Sequence, residues 1–506
     1  MQIKGAGRKV GVLFSFAMLA AEVLSGLLFT PLVIRNLGQA EFGLYNLSLS
    51  ITTCFTILDL GVGSASVRFM SKYRFDGDKD GARTFLGLVI SIYICIIVVI
   101  TVGYVVILRP NLDFFFGGGL VGDELVLLRG LLDFTIANAV VTLLVTAFDS
   151  ELQSYERFDI SKGFAILRIL LRIVCVLVLF SFGFKSIAIV IVNFALTCIF
   201  GIFSVAIVTR KFDLAPRFRG INKELVVSVF GFTLFVFVQN IATQVNGIAG
   251  QMVLGAGVSA SVLGIYSVAV QINQYYQLMG NAVNGVTMPG VVRLVEQGAP
   301  VETLEKEMVK VSRIQFMLLG FILAVFVVVG RDFVILWAGD DNVRAYYATL
   351  VLLFPVCIAW SQLVGSQILW AKNELKEQSY GRLAITGVSI LLTWMFCDTP
   401  EPVLGVASGT AFGIFAGDVV LAAHLYKKKI GVDLRRYYAG VAKGILPSLL
   451  VTVACGLVLS ILISNLALRF ITVSVVMFLM FAICLYKFGF SEYERGIFNR
   501  HVHRRE

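Results

Sequence analysis

Amide side chains recur at helical spacing in two long apolar stretches of this sequence. The first set comprises the amides Gln239, Asn240, Gln244 and Asn246 with the hydroxyl of Thr243, and the second comprises Asn273, Gln277, Asn281 and Asn284. This spacing places most of each set on one helix face. Amides are costly in lipid but suit sugar hydroxyls, because both groups donate and accept hydrogen bonds. We expect these faces to line a polar cavity; hydrogen bonds between the two helices are the alternative.

Two arginines, Arg168 and Arg172, stand four residues apart at the start of another apolar stretch. The planar guanidinium group binds phosphate oxygens through two parallel hydrogen bonds. The pair is therefore a candidate phosphate-binding site. Two alternatives stay open: the side chains reach the lipid head groups, or they pair with Asp149.

Carboxylates occur in the apolar stretches as well. Glu22 and Asp59 each lie about three helical turns from the inner end of their stretch, which puts them at a similar depth. Two carboxylates at one depth could bind a proton or a cation, and pairing with a neighbouring arginine is the alternative. Arg129 and Asp133, four residues apart, predict a local salt bridge.

Membrane-spanning helices must position these residues. The chain has 506 residues, of which 58% are apolar and 15% charged, and its mean hydropathy is +0.88. A bilayer core of about 30 Å needs about 20 apolar residues in a helix. The stretches that qualify are 10–34, 43–70, 84–107, 125–149, 164–182, 186–208, 224–246, 252–284, 314–336, 346–370, 381–397, 403–426, 442–463 and 466–487. The sequence predicts an all-α polytopic membrane protein with about fourteen transmembrane helices.

Basic residues give the orientation. Most of the 42 Lys and Arg residues fall in alternate loops, including 71–83, 210–223 and 427–443. The positive-inside rule puts these loops and both termini in the cytoplasm, and loops 108–124 and 247–262 outside. Membrane orientation therefore accounts for the net charge of +10, and nucleic-acid binding is not needed to explain it. We expect the first apolar run to be a permanent helix, because it is too long for a cleaved signal peptide.

Motifs for catalysis or for bound cofactors are not found in the sequence. There is no GxxxxGK[ST] phosphate loop, and small residues for helix packing explain GVGSAS at 61–66 better than dinucleotide binding does. The eight cysteines are scattered and show neither metal-ligand spacing nor a disulfide framework. We expect a protein that is not an enzyme, with no catalytic residues, no metal and no cofactor.

Two segments of the chain resemble each other. GLYNLSLSI at 43–51 and GIYSVAVQI at 264–272 share Gly, Tyr and Ile at matching positions. The offset covers six predicted helices, an even number, so the two halves have the same orientation. Parallel repeats of this kind place a substrate site between two lobes, although chance similarity of apolar helices is the alternative.

The run LGQAEFGLYNLSLSITTCFTILDLGVGSASVRFMSKY, residues 37–73, resembles the bacterial polysaccharide flippase family. That family is the O-antigen and exopolysaccharide branch of the superfamily that contains multidrug/cation antiporters and the lipid II flippase. The matching positions are Leu37, Gly38, Phe42, Gly43, Tyr45, Asp59, Gly61 and Arg68.

This resemblance implies two six-helix lobes, at 1–215 and 216–430, followed by two further helices and a cytoplasmic tail at 431–506. It implies a multi-pass protein of the bacterial inner membrane that flips an undecaprenyl-diphosphate-linked oligosaccharide to the external leaflet by alternating access. Arg68 joins the arginines and amides as a candidate substrate-binding residue, and Glu22 and Asp59 become the candidate ion-coupling pair. The implied partners are the lipid-linked substrate, membrane lipids, and the polymerase and glycosyltransferases of the same pathway.

Other functions stay open at this point. A multidrug/cation antiporter of the same superfamily would use Glu22 and Asp59 as its cation site, but amide-rich helices suit a purely lipophilic cargo poorly. A membrane glycosyltransferase or polymerase would need a sizeable extramembrane domain or clustered catalytic carboxylates, and the sequence shows neither. The polar intramembrane faces argue against a purely structural scaffold.

Overall fold

The computed structural model describes residues 6–59, 61–221, 223–372, 374–491 and 494–495. Side chains are described for these residues except at 6–13, 16, 64, 228, 230–236, 238–240, 282, 285–286 and 289. Every regular element in the described ranges is helical.

The chain divides into two compact units, residues 1–267 and 268–506. The helices up to the division are α1 Ala6–Thr56, α2 Val62–Asp76, α3 Lys79–Val102, α4 Leu112–Phe116, α5 Asp123–Ser154, α6 Phe158–Ser181, α7 Ser186–Ala206, α8 Lys223–Gly257 and α9 Ala260–Glu296. The division itself falls within α9. The lobe boundaries expected at 215 and 430 stay a prediction.

The remaining helices belong to the second unit. They are α10 Val301–Ala338, α11 Arg344–Ser361, α12 Leu363–Ala371, α13 Lys376–Met395, α14 Pro402–Ile414, α15 Ala422–Leu425, α16 Leu434–Ala442, α17 Ile445–Leu462 and α18 Leu466–Cys484. Short π-helical segments at Phe415–Leu421 and Tyr426–Ile430 continue α14 and α15 toward α16.

Ten helical segments of the described residues are long and apolar enough to cross a membrane. They are Ala17–Asp59, Lys79–Leu108, Asp123–Ser154, Phe158–Ser181, Ser186–Lys211, Val301–Ala338, Arg344–Ser361, Pro402–Ile430, Ile445–Leu462 and Leu466–Gly489. The first of these contains parts of two predicted spans, and α8, α9 and α13 correspond to three more. The prediction of an all-α polytopic membrane protein is confirmed.

The first predicted span and the first part of the second lie in one element, α1, and Gly38 separates them. Its φ of 75° and ψ of 174° interrupt the helix between the two apolar runs. Positive φ is costly for residues with a Cβ, so glycine at this position allows the change of direction.

The second predicted span, 43–70, is not one continuous helix. Its α-helical part ends at Thr56, a short 3₁₀ turn covers Ile57–Asp59, and α2 begins at Val62. Gly61, with φ 74°, provides the left-handed residue that stops regular helix here. Asp59 therefore lies at a helix break rather than inside a continuous span.

The predicted loop 247–262 is instead helical over most of its length, and its external location stays a prediction. Helix α8 continues to Gly257 and α9 begins at Ala260, which leaves two residues between them. In this region the side chain of Gln251 is hydrogen-bonded within the first unit: Ser50 donates to its Oε1 atom, and its Nε2 atom donates to Ser267 Oγ at 3.2 Å. Paired polar groups can remain within a packed helix, which hydropathy alone does not anticipate.

In the first unit, α1 packs against α5, α6 and α8, and α5 packs against α7. In the second unit, α10 is central and contacts α11, α16, α17 and α18. The helices that carry the candidate residues are therefore held by packing inside their own units.

Candidate functional site

Arg172 lies on α6, the helix that packs against α1. Its Nη2 atom is 3.5 Å from Ser25 Oγ, and its guanidinium lies over the Phe29 ring at 5.9 Å from the centroid. The Nε atom is buried and has no hydrogen-bond partner among the described residues. An apolar environment with one weak hydroxyl contact leaves donors of this cation available to a further acceptor.

Arg168 has a different environment, one turn earlier on α6. Its side chain is exposed and interacts electrostatically with Asp149 on α5. The Oδ1 atom of Asp149 also accepts a hydrogen bond from Ser204 at 2.8 Å. Between Arg168 and Asp149 there is thus electrostatic attraction, while Arg172 contacts Ser25 and Phe29 of α1.

The two candidate ion-coupling carboxylates occupy unlike positions. Glu22 is exposed on α1, whereas Asp59 is partly buried at the helix break. Asp59 lies close to the Tyr93 hydroxyl and to the backbone of Gly61 and Gly63. Its Oδ1 atom is buried without a hydrogen-bond partner among the described residues. A common cation site for the two carboxylates stays a prediction.

The predicted salt bridge between Arg129 and Asp133 is wrong. Asp133 accepts hydrogen bonds from Arg109 Nε at 2.9 Å, from Arg109 Nη2 at 3.2 Å and from the Tyr104 hydroxyl at 2.6 Å. Arg129 Nη2 instead lies 3.9 Å from Asp113. The guanidinium fork of Arg109 offers two parallel hydrogen bonds, a better geometry than a pair of neighbours on one helix with the arginine first.

The amide stripe of α8 is only partly described. Gln244 is exposed and Asn246 is buried, while the side chains of Gln239 and Asn240 lie outside the described residues. Arg68, on α2, is exposed. Their assignment to substrate binding stays a prediction.

The amides of α9 do not share one environment. Asn273 and Asn284 are buried, Gln277 is partly buried and Asn281 is exposed. The Oδ1 atom of Asn273 has no hydrogen-bond partner among the described residues. The stripe therefore presents both buried and accessible amides rather than a uniform polar wall.

Asn284 belongs to a cluster of three buried amides in the second unit. Its Oδ1 atom accepts hydrogen bonds from Gln315 Nε2 at 3.0 Å and from Gln367 Nε2 at 3.5 Å. Gln315 and Gln367 come from α10 and α12, so the contact joins three helices. The alternative from the sequence expected such hydrogen bonds between α8 and α9 instead. The sequence reasoning overlooked these two glutamines, although each is a polar residue within a predicted span.

Clusters of metal ligands and disulfide-bonded cysteines are not found in the described part of the chain. No group of three or more His, Cys, Asp or Glu residues there could hold a metal ion, and all eight cysteines are free thiols. Arginine and amide side chains offer recognition by hydrogen bonds and charge.

Comparison with known proteins identifies the family of this chain. A sequence profile described as "Polysaccharide biosynthesis protein" matches residues 7–295. None of the curated protein sequences matches the chain.

Solved structures share the fold at low sequence identity. The structure is similar to that of the lipid II flippase MurJ in an inward closed conformation, with a TM-score of 0.69 and 11% identity over 94% of this chain and 99% of that one. It is similar to an inward-facing multidrug resistance MATE family transporter of the MOP superfamily, with a TM-score of 0.65 and 14% identity over 82% of this chain and 94% of that one. The profile covers more than half of the chain, and the chain therefore belongs to the polysaccharide biosynthesis protein family, with a fold shared by MurJ and MATE transporters.

Proposed function

We propose that this chain is a flippase that carries an undecaprenyl-diphosphate-linked oligosaccharide from the cytoplasmic to the external leaflet of the bacterial inner membrane. Both termini lie in the cytoplasm in this proposal. The glycan belongs to an O-antigen or exopolysaccharide pathway, whose glycosyltransferases and polymerase act before and after the flippase.

Arg172 is the observation that carries the proposal. It stands within a membrane-spanning segment, and no carboxylate among the described side chains lies at ion-pair distance from it. Intramembrane cations are expensive and normally have a functional partner. A diphosphate supplies the missing acceptors, because a guanidinium binds phosphate oxygens through two hydrogen bonds.

Translocation requires that the lipid-linked glycan be bound and moved, with no covalent bond made or broken. A glycan head group cannot cross hydrocarbon unless polar groups replace its hydration. Amides such as Gln277 and Asn281 can donate to and accept from sugar hydroxyls, while the lipid tail stays in the bilayer. Rocking of membrane-embedded repeats would alternate access, so we propose a transporter rather than an enzyme.

Substitution of Arg172 tests the phosphate role. In proteoliposomes loaded with the lipid-linked glycan, we expect Arg172→Ala to reduce translocation at least tenfold, about the loss of one charged hydrogen bond of 1.5–3 kcal/mol. Arg172→Lys should recover only part of the rate, because the fork is lost while the charge remains.

Arg219→Ala is the matched control, because Arg219 is an exposed arginine in the segment between α7 and α8. It removes the same charge and should translocate at the normal rate. Equal amounts of folded protein must be compared by size-exclusion chromatography. Normal translocation by Arg172→Ala would remove Arg172 from the proposed site.

A multidrug/cation antiporter is the second candidate, favoured by the structural likeness to the MATE transporter and by the partly buried Asp59. This function predicts efflux of lipophilic cations that depends on an ion gradient and is lost in Asp59→Asn. The flippase function predicts glycan translocation without such efflux. If Asp59→Asn or Glu22→Gln translocates glycan but no longer responds to the gradient, that carboxylate couples an ion to flipping.

A further inference from the structure

A cavity in the second unit lies apart from the candidate residues discussed above. Its volume is about 700 Å³, within the range of about 300–1,000 Å³ that suits small-molecule sites. It lies among α10, α11, α16 and the helical stretch that continues α14. Its walls include Phe316, Ile358 and Val441, and its polar lining includes Gln362, His424 and Tyr438.

One wall changes from apolar to basic along its length. Val420, His424 and Lys427 line the cavity at i, i+4 and i+7, and all three are exposed. An apolar side chain, an imidazole and an ammonium group in this order match the passage from acyl chains to head groups at a membrane surface.

The cations around the cavity are not equally neutralised. Lys428 Nζ lies 2.9 Å from Glu377, and Lys429 Nζ lies 2.9 Å from Glu374. Lys427, the residue that lines the cavity, has no ion pair among the described side chains. The carboxylates thus neutralise its two neighbours, and the positive charge at the cavity remains.

Helix α16 also lines the cavity and is strongly amphipathic. Tyr437 and Val441 are buried, whereas Arg435 and Arg436 are exposed. The Tyr438 hydroxyl donates to Gln362 Oε1 at 2.6 Å, which holds this ring at the cavity while its oxygen can still accept a hydrogen bond. A short helix with one apolar and one basic face is typical of a segment that lies in the membrane interface.

We propose that this cavity binds an anionic glycerophospholipid. An acyl chain would occupy the apolar part, and the phosphate would contact Lys427 and His424 at the mouth. A soluble phosphate would leave the apolar walls unfilled, and a zwitterionic lipid would neutralise the charge less well. In the proposed orientation, Lys427 faces the cytoplasmic leaflet, where anionic lipids give the surface its negative potential.

Lipid binding to the purified full-length protein tests the proposal. The protein in detergent is titrated with dioleoyl phosphatidylglycerol or dioleoyl phosphatidylcholine, and bound lipid is counted by native mass spectrometry. We expect the wild type to prefer phosphatidylglycerol. Lys427→Gln should weaken phosphatidylglycerol binding about fivefold, the effect of one basic residue near an anionic surface, and should leave phosphatidylcholine binding unchanged.

Lys428→Gln is the matched control, since it removes the same charge one residue away from a lysine that already has a carboxylate partner. It should keep the preference of the wild type. Val420→Trp, which fills the cavity from an exposed position, should reduce binding of both lipids. Glycerol phosphate alone should not compete with the lipid.

Three results would overturn the proposal. Equal binding of the two lipids by the wild type would show that the cavity does not distinguish an anionic head group from a zwitterionic one. Equal effects of Lys427→Gln and Lys428→Gln would indicate general surface attraction. Competition by glycerol phosphate at the concentration of the lipid would indicate a soluble phosphate ligand instead.

Discussion

At the scale of single residues, Arg313 shows how a buried cation can be fully satisfied. Its guanidinium donates to both carboxylate oxygens of Glu494, at 2.9 and 3.0 Å, and to the carbonyls of Gly440, Lys443 and Gly489. Both side chains are less than a tenth exposed. The contact holds the end of the described chain against α10, and it contrasts with Arg172, whose donors are not used in this way.

Removal of one partner of this pair should destabilise the fold. We expect Arg313→Met to cost about 3–5 kcal/mol, because it leaves the Glu494 carboxylate and several carbonyls buried without a donor. Thermal unfolding of the purified protein in detergent measures the effect. Substitution of the exposed Arg219 by methionine should leave the melting temperature unchanged, and an equally stable Arg313→Met protein would contradict this account.

The Arg313–Glu494 pair should also make the stability of the fold depend on pH. Burial raises the pKa of the Glu494 carboxyl, but hydrogen bonds from Arg313 and from the Ser491 backbone amide outweigh burial, and the net pKa lies below its usual range. The pair therefore stabilises the fold above the ordinary glutamate pKa of about 4.3. This contribution is lost as the pH falls through the lower, folded-state pKa. The difference in melting temperature between the wild type and Glu494→Gln should shrink in that acid range; a constant difference would contradict it.

At the scale of helices, the two repeat segments meet directly. Gly43 in α1 and Gly264 in α9 lie at matching positions of the repeat, and a Cβ atom on Gly43 would contact the Ala260 carbonyl. A Cβ atom on Gly264 would contact the Gln39 carbonyl. Small residues permit such close approach of helix backbones, so these glycines set the helix spacing.

A methyl group at this contact should push the helices apart. We expect Gly264→Ala to destabilise the protein by about 1–3 kcal/mol, the usual cost of an overpacked contact. Gly247→Ala in α8 is the control, because no described heavy atom lies within 4 Å of the position where its Cβ would be. Alanine there should be neutral or should stabilise the helix by about 0.5–1 kcal/mol. Equal melting temperatures for the two variants would show that the close approach is not required.

At the scale of the whole molecule, the distribution of Lys and Arg among the loops predicts the orientation of the protein in the membrane. Cysteine labelling can test this orientation. Phe114 is 84% exposed in the predicted external loop, and Arg219 is exposed in a predicted cytoplasmic one. In a background without the eight native cysteines, Phe114→Cys should react with a membrane-impermeant thiol reagent added to intact cells. Arg219→Cys should react only after the membrane is opened. Labelling of Arg219→Cys in intact cells would reverse the proposed topology.

The sequence by itself determined the helical, membrane-spanning character of this chain, because runs of about 20 apolar residues leave few other structures in lipid. The glycine, tyrosine and aspartate positions at 37–73 also pointed to the correct family. These features are local along the chain, so they can be read without knowing which helices are neighbours.

Only the tertiary structure decided which group each polar residue meets. Asp133 pairs with Arg109 rather than with Arg129, and Asn284 bonds to glutamines of two other helices. Asp59 lies at a helix break that the positive φ of Gly61 permits, although the sequence predicts one continuous span there. A hydrogen bond depends on distance and direction between helices that can be far apart in sequence, and hydropathy contains neither quantity.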